Sequence, residues 1–203
     1  RPLDPEYLRS LRAACDAQEW LLMFDEVQTG NGRCGDIYAF MRLSVTPDVV
    51  CTAKGLGNGF PIGACMARGR AAAVLTPGDH GTTYGGNPLA CRAASAVLNT
   101  LSAQRLYERA DPIRAALLDS FRANLQQPDR VAEIRGLGLM IGIEVTGDPA
   151  TIVSSALELG AVVNVTAGNT IRLLPPLIMS DSEAAELGAI VARVVNHLPE
   201  KAT

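Results

Sequence analysis

Two short apolar runs, residues 21–24 and 49–51, are each followed closely by a residue with a reactive side chain. The first run leads to Asp25, and the second leads to Lys54 at the start of a glycine-rich turn. Runs this short and this apolar are typical of strands that are buried on both faces of a parallel sheet. The sequence therefore predicts two neighbouring strands that carry an acid and an amine at their ends.

Helical patterns alternate with these strands and predict an α/β fold. Asp4 followed by Pro5 is typical of a helix start, and Asn87 followed by Pro88 repeats the signal. We expect the helix over residues 89–101 to be buried because it carries a broad apolar stripe. A further short strand is expected at residues 64–67.

The second half of the chain predicts a small α+β domain. A helical pattern over residues 102–125, interrupted by Pro112, leads into it. Ser180 and Glu183 have the spacing of a capping box, which predicts a final helix to about residue 197. The remaining predicted elements are strands at residues 131–135, 139–145, 161–165 and 170–174 and a helix at residues 150–159. We predict two domains, residues 1–103 and residues 104–203.

Composition excludes several classes of partner. The formal charge of −3 leaves no basic excess for nucleic acid or for an anionic membrane surface. The five cysteines lack CxxC spacing and only two histidines are present, so no metal cluster is expected. We expect reduced thiols in a cytoplasmic protein, and no apolar run is long enough for a membrane span.

Lysine is scarce, and this scarcity narrows the choice of a reactive amine. Lys54 and Lys201 are the only lysines, and Lys201 lies near the C-terminus, where chains usually fray. A lysine in a partly desolvated pocket can form a Schiff base with a carbonyl group. Pyridoxal phosphate requires such an amine, an anion beside its ring nitrogen and donors around its phosphate. Lys54 and Asp25 meet the first two requirements.

Four motifs make the resemblance to a known family specific. They are, in chain order, FDEVQTGNGRCG, TAKGLGNGFPIGA, HGTTYGGNPLA and IRLLPPLIMSDSE. Together they resemble the class III (ω-amino acid) pyridoxal-phosphate aminotransferases, and most closely the members that act on N2-acetylornithine. The resemblance implies fold type I, the aspartate aminotransferase-like fold, with part of a large-domain mixed sheet and a C-terminal α+β small domain.

The resemblance implies a role for several residues of the first two motifs. Asp25 contacts the pyridine nitrogen, Val27 packs on the ring face and Gln28 contacts the phenolic oxygen. Lys54 is the Schiff-base lysine and also the general acid/base that moves the proton between substrate and cofactor carbons. Glu26 is expected to be structural.

The other two motifs imply further contacts. The loop with Thr82 and Thr83 reaches across a homodimer interface in the family, and Thr83 donates to the cofactor phosphate of the neighbouring subunit. Arg172 receives a substrate carboxylate, for which its guanidinium offers two parallel hydrogen bonds. The expected reaction transfers the terminal amino group of N2-acetylornithine to 2-oxoglutarate, giving N-acetylglutamate 5-semialdehyde and glutamate in arginine biosynthesis.

Departures from the family pattern leave alternatives open. Cys34 replaces an expected threonine and Asn58 replaces a common glycine, but neither change removes a group that the reaction uses. The phosphate-binding turn, the ring-stacking aromatic residue and a second carboxylate-binding arginine are expected upstream of Arg1, so the chain resembles the C-terminal half of its enzyme. Ornithine, succinylornithine, succinyldiaminopimelate and 4-aminobutyrate are alternative substrates. A non-catalytic fragment of the fold is an alternative of another class.

Overall fold

The computed structural model describes residues 1–200. The chain divides into an N-terminal unit, Leu3–Tyr107, and a C-terminal unit, which comprises Arg1–Pro2 and the chain from Glu108 onward. Each unit contains α-helices and its own β-sheet. Within residues 1–200, no helix combines the length and the apolar character needed to cross a membrane.

The N-terminal unit contains a three-stranded sheet with the order β1-β2-β3. Strands β1 and β2 are parallel, which confirms the predicted pairing, and β3 runs antiparallel to β2. Asp4 caps the first helix as predicted, because its carboxylate accepts hydrogen bonds from the backbone N–H groups of Glu6 and Tyr7. The elements are α1 Pro5–Ala17, β1 Met23–Asp25, α2 Ala39–Leu43, β2 Val49–Thr52, β3 Ala64–Ala67 and α3 Pro88–Ala103.

One face of this sheet is covered and the other is exposed. Phe24 packs against a small core formed by Leu8, Cys15, Leu22 and Val45. On the opposite face, Met23 is 65% exposed, and Asp25 is exposed as well. The prediction that the first strand is buried on both faces is therefore wrong, because the elements of this unit cover only the Phe24 side.

Helix α3 is also less buried than its sequence predicts. The Asn87 side chain caps it by accepting a hydrogen bond from Ala90 N–H at 2.9 Å. Only a narrow stripe of the helix, Ala90, Ala94 and Leu101, is buried, while Leu89 is 65% exposed. An apolar stripe is buried only where another element packs on it, and the N-terminal unit covers just part of this one.

The C-terminal unit contains a four-stranded antiparallel sheet with the order β4-β5-β7-β6. Two long helices share its core with the apolar side chains of the central strands, including Phe121, Ile143 and Ile171, which are fully buried. The elements are α4 Ala110–Asn124, β4 Val131–Leu137, β5 Met140–Val145, α5 Ile152–Glu158, β6 Asn164–Thr166, β7 Thr170–Leu173 and α6 Asp181–Asn196.

Two predicted details of this unit are wrong, and one is confirmed. Pro112 does not interrupt a helix, because it lies in the first turn of α4, where its missing N–H has no helical acceptor. Strand β6 begins at Asn164 instead of residue 161. The capping box is present: Ser180 Oγ accepts from Glu183 N–H, and the Glu183 carboxylate accepts from Ser180 N–H at 2.7 Å.

Helices α4 and α6 approach closely at a glycine. A Cβ atom built on Gly188 of α6 would lie 2.2 Å from the carbonyl oxygen of Leu117 and 3.0 Å from the backbone nitrogen of Phe121. Both neighbouring atoms belong to the backbone of α4 and cannot rotate away. Only glycine therefore fits at this crossing of the two helices.

Candidate active site

An acid and an amine follow one another at the same edge of the N-terminal sheet. Asp25 is the last residue of β1 and lies in register with Cys51 of the parallel strand β2. Lys54 comes just beyond the end of β2 and begins a short 3-10 turn, Lys54–Leu56. Because the carboxyl ends of parallel strands meet at one edge, the two groups lie at the same edge of the sheet, and open α/β sheets commonly bind ligands at such an edge.

Lys54 has an unusual backbone conformation. Its φ of 47° lies in the left-handed region, which costs a residue with a side chain about 1–2 kcal/mol. Turn hydrogen bonds hold it there, from Leu56 N–H to Ala53 O at 3.0 Å and from Gly57 N–H to Lys54 O at 3.2 Å. Strain of this kind is concentrated at functional sites. The side chain is exposed, so residues 1–200 by themselves do not form the partly desolvated pocket expected from the sequence.

Asn31, which no sequence motif assigns to the site, supports this turn. Its side-chain N–H group donates to Thr52 Oγ1 at 3.0 Å and to Ala53 O at 3.2 Å. The residue is 7% exposed, and its Oδ1 atom has no hydrogen-bond partner within residues 1–200. Asn31 thus holds the chain immediately before Lys54. An asparagine in a glycine-rich loop was the available signal, although loops contain such residues for many reasons.

The two neighbouring acids at the end of β1 have different environments. Glu26 is 3% exposed, and its carboxylate accepts from Phe40 N–H at 2.9 Å and from Thr29 Oγ1. These contacts confirm the structural role predicted for Glu26. Asp25 is exposed, and its Oδ1 accepts from Val27 N–H at 2.9 Å. Of the two carboxylates, that of Asp25 is the one that remains accessible to a ligand.

The remaining residues of the predicted site in this unit lie in turns and loops. Val27 and Gln28 are partly buried in the turn that follows β1. Thr82 and Thr83 lie in an exposed loop, where Thr82 Oγ1 accepts from Gly85 N–H at 3.1 Å. No hydrogen bond within residues 1–200 joins either threonine to Asp25 or Lys54.

Arg172 lies in the C-terminal unit, on a central strand. Strand β7 pairs on both sides, with Arg172 opposite Gly142 of β5 and Asn164 of β6. The residue is partly buried, and its Nε atom is buried without a hydrogen-bond partner in the described chain. It lines a cleft of about 450 Å³ together with Leu174 and Pro175. A guanidinium that lines a cleft is suited to receive a carboxylate.

Metal binding is not supported by the described residues. Across residues 1–200, no group of three or more His, Cys, Asp or Glu side chains is arranged to hold a metal ion. The chemistry that the sheet edge offers is therefore that of one exposed carboxylate and one primary amine on a strained turn.

Comparisons with known proteins show which family the chain is similar to. The sequence model of the family described as aminotransferase class-III matches residues 1–195. Acetylornithine aminotransferase from Nitrosomonas europaea is 46% identical over 93% of this chain and 48% of its own length. Succinylornithine transaminase from Salmonella newport is 42% identical over 91% of this chain and 46% of its own length.

A solved structure confirms the fold predicted from the sequence. The ornithine aminotransferase of Toxoplasma gondii, crystallised with oxidised glutathione and described as having partial occupancy of PLP at its active site, superposes with a TM-score of 0.89 at 35% identity. The match covers 96% of this chain and 47% of that structure. The chain spans about half the length of the curated relatives it matches. The residues matched by the family model and the identity to these relatives show that the chain belongs to the class III aminotransferase family.

Proposed function

We propose that the chain forms part of a pyridoxal-phosphate-dependent aminotransferase that transfers the terminal amino group of N2-acetylornithine to 2-oxoglutarate. The observation that carries the proposal is the placement of Asp25 and Lys54 at one edge of a parallel strand pair. Family membership supports small-molecule amino and keto-acid substrates. The two compact units would correspond to part of the large domain and to the small domain of fold type I.

The residues at the sheet edge fit pyridoxal phosphate. An accessible carboxylate and a primary amine are the groups that its ring nitrogen and its aldehyde require. When bound, the cofactor supplies a ring that withdraws electrons from the substrate carbon. Asp25 would keep the ring nitrogen protonated, Val27 would pack on the ring face, and Gln28 would contact the phenolic oxygen.

Lys54 is assigned two tasks. Its Nζ atom holds the cofactor in the resting enzyme, and the same atom then accepts and returns the proton of the substrate carbon. The strained backbone and the hydrogen bonds from Asn31 fix the start of the side chain. Because the Lys54 backbone is held in one position, its flexible four-carbon side chain can place the amine in fewer positions, and this favours the productive one.

The contacts to phosphate and substrate complete the proposed site. Thr82 and Thr83 lie on an exposed loop and each carries a hydroxyl group, and we assign them to the phosphate of a neighbouring subunit in a homodimer. Arg172 binds the substrate carboxylate, for which its position beside the cleft argues.

The assignment of Lys54 is tested by trapping the cofactor. Borohydride reduction of the purified full-length protein should fix the cofactor mass on the peptide that contains Lys54. Lys54→Ala should lose both the label and the visible absorbance of the bound cofactor, and Lys201→Ala, the replacement of the other lysine of this chain, should keep both. A label on any other peptide would refute the role of Lys54. Failure to bind the cofactor at all would favour a non-catalytic fragment.

The choice of substrate is tested with a panel of amines. The protein is supplied with 2-oxoglutarate and with N2-acetylornithine, ornithine, succinylornithine, succinyldiaminopimelate or 4-aminobutyrate in turn, and glutamate is measured. We expect the highest kcat/KM for N2-acetylornithine. Preference for ornithine or 4-aminobutyrate would overturn this choice, while leaving the aminotransferase chemistry intact.

A further inference from the structure

Two cysteines face each other on the exposed side of the N-terminal sheet. Cys51 of β2 lies directly opposite Cys65 of β3, and within residues 1–200 both are free thiols that no other part of the chain covers. On the other side of β2, Asp25 lies in register with Cys51. Since residues in register share a face of a sheet, the three side chains form a row across the three strands.

Backbone hydrogen bonds identify the kind of cross-strand pair. The Cys51 carbonyl accepts from Glu26 N–H at 2.8 Å, on the β1 side, whereas the Asp48 carbonyl accepts from Arg68 N–H at 3.0 Å, on the β3 side. The hydrogen-bonding direction alternates from residue to residue along a strand. Cys51 therefore directs its backbone groups away from β3, and Cys51 and Cys65 form a non-hydrogen-bonded pair.

This kind of pair has the spacing that a disulfide requires. The Cα atoms of a non-hydrogen-bonded antiparallel pair are about 4.5 Å apart and their side chains approach closely. Disulfides span Cα distances of about 4.4–6.8 Å. Burial raises the pKa of Cys51, and the neighbouring Cys65 thiol and the Asp25 carboxylate raise it further, as expected for side chains in mutual contact.

We propose that Cys51 and Cys65 form a dithiol modification site that is oxidised by small-molecule disulfides. The thiolate of one cysteine attacks the small disulfide, breaks its S–S bond and releases one small thiolate, which takes up the proton lost by that cysteine. The second cysteine then displaces the other small thiol in the same way. Two protein S–H bonds are lost, one S–S bond forms, and the small disulfide is reduced to two thiols.

The oxidised form would close a ring of chain that contains the reactive turn. Lys54 lies between Cys51 and Cys65 in the sequence, together with Gly55, Gly57 and Gly59. A covalent link at the two ends of this segment restricts its motion. The disulfide depends only on the strand pairing, while its effect on transamination rests on the role proposed for Lys54.

The site is tested by peptide mapping with glutathione disulfide as the probe. The reduced, purified full-length protein is incubated with it and digested without reductant. We expect a peptide pair linked through Cys51 and Cys65, lighter by two hydrogen atoms and separated again by dithiothreitol. The linkage should be lost in Cys51→Ser and in Cys65→Ser, and it should persist in Cys91→Ser, which removes another exposed thiol of the same unit.

A second measurement follows the turn itself. Amide hydrogen exchange of residues 52–64 should slow several-fold on oxidation, and residues 88–103 should exchange at an unchanged rate. Glutathione attached singly to the cysteines, without the linked peptide, would overturn the proposal. Neither readout requires activity, so a failed role for Lys54 and a failed disulfide are distinguishable.

Discussion

Replacing Gly188 by alanine should destabilise the protein by about 2 kcal/mol, as judged from helix propensity and overpacking. The new Cβ would lie 2.2 Å from the carbonyl oxygen of Leu117, well inside the 3.0 Å that such contacts respect. Relieving that overlap requires α4 and α6 to move apart, and overpacking of this kind costs about 3 kcal/mol at its upper end. The greater helix propensity of alanine returns about 1 kcal/mol.

The measurement is urea-induced unfolding of the purified full-length protein, monitored by circular dichroism. With a slope of about 2 kcal/mol per molar urea, the midpoint should fall by about 1 M. Glu186→Ala, an exposed position on the same helix, is the matched control and should change stability by less than about 0.5 kcal/mol. If Gly188→Ala proves as stable as the parent, the close approach of α4 and α6 is incorrect.

Three further outcomes are expected from named side chains. Hydrogen bonds from Leu22 N–H and from Arg12 lower the pKa of Asp48. The ionised Asp48 carboxylate therefore stabilises the fold at pH values above the ordinary aspartate pKa of about 4, and this stabilisation is lost as the pH falls below that value. The stability difference between the parent and Asp48→Asn should accordingly shrink between about pH 6 and about pH 3 in urea titrations; a constant difference would contradict this. Burial raises the pKa of Cys34 to about 11, so iodoacetamide at about pH 8 should label exposed Cys91 and leave Cys34 unmodified in the native protein; equal labelling would refute the burial. Arg172→Lys should raise the KM for the amino donor by about tenfold or more while changing kcat less, because lysine cannot donate two parallel hydrogen bonds; a change confined to kcat would argue against carboxylate binding.

Local features of the fold were predictable from the sequence. Asp4, Asn87 and Ser180 cap their helices through hydrogen bonds to residues two or three positions away, so the signal and its effect lie in the same short stretch. The pairing of β1 with β2 was also predictable, because both are short apolar runs separated by a loop and a short helix. These interactions need no knowledge of distant packing.

Burial was predicted less well, because it depends on what covers a surface. The apolar residues of α3 predict a buried helix, but an apolar side chain is buried only if another element reaches it. Met23 shows the same limit on β1, where alternate residues face a core and an open surface. Sequence patterns indicate which side chains gain from burial, and the neighbouring elements decide which of them obtain it.

Residues of the candidate site were likewise predictable where the signal is local and were not predictable where their contacts are distant in the sequence. Asp25 and Lys54 were found because each follows a predicted strand and because lysine is scarce in this chain. Asn31 was missed, since its contact with Thr52 and Ala53 joins segments that are distant in the sequence. The roles of Thr83 and Arg172 rest on the family resemblance and stay predictions.

The register of β1 against β2 determines the spacing between the Asp25 carboxylate and the Lys54 amine along the sheet edge. Three consecutive pairs, ending at Asp25 and Cys51, set how far Lys54 lies beyond the acid. Side chains alternate between the two faces of a strand. One residue inserted before Cys51 would therefore move the side chains on one side of the insertion to the opposite face of the sheet, either those that pack in the core or that of Cys51. Strand β2 is consequently intolerant of changes in length even where single substitutions are harmless. The spacing of the reactive groups is thus protected by the same packing that stabilises the sheet.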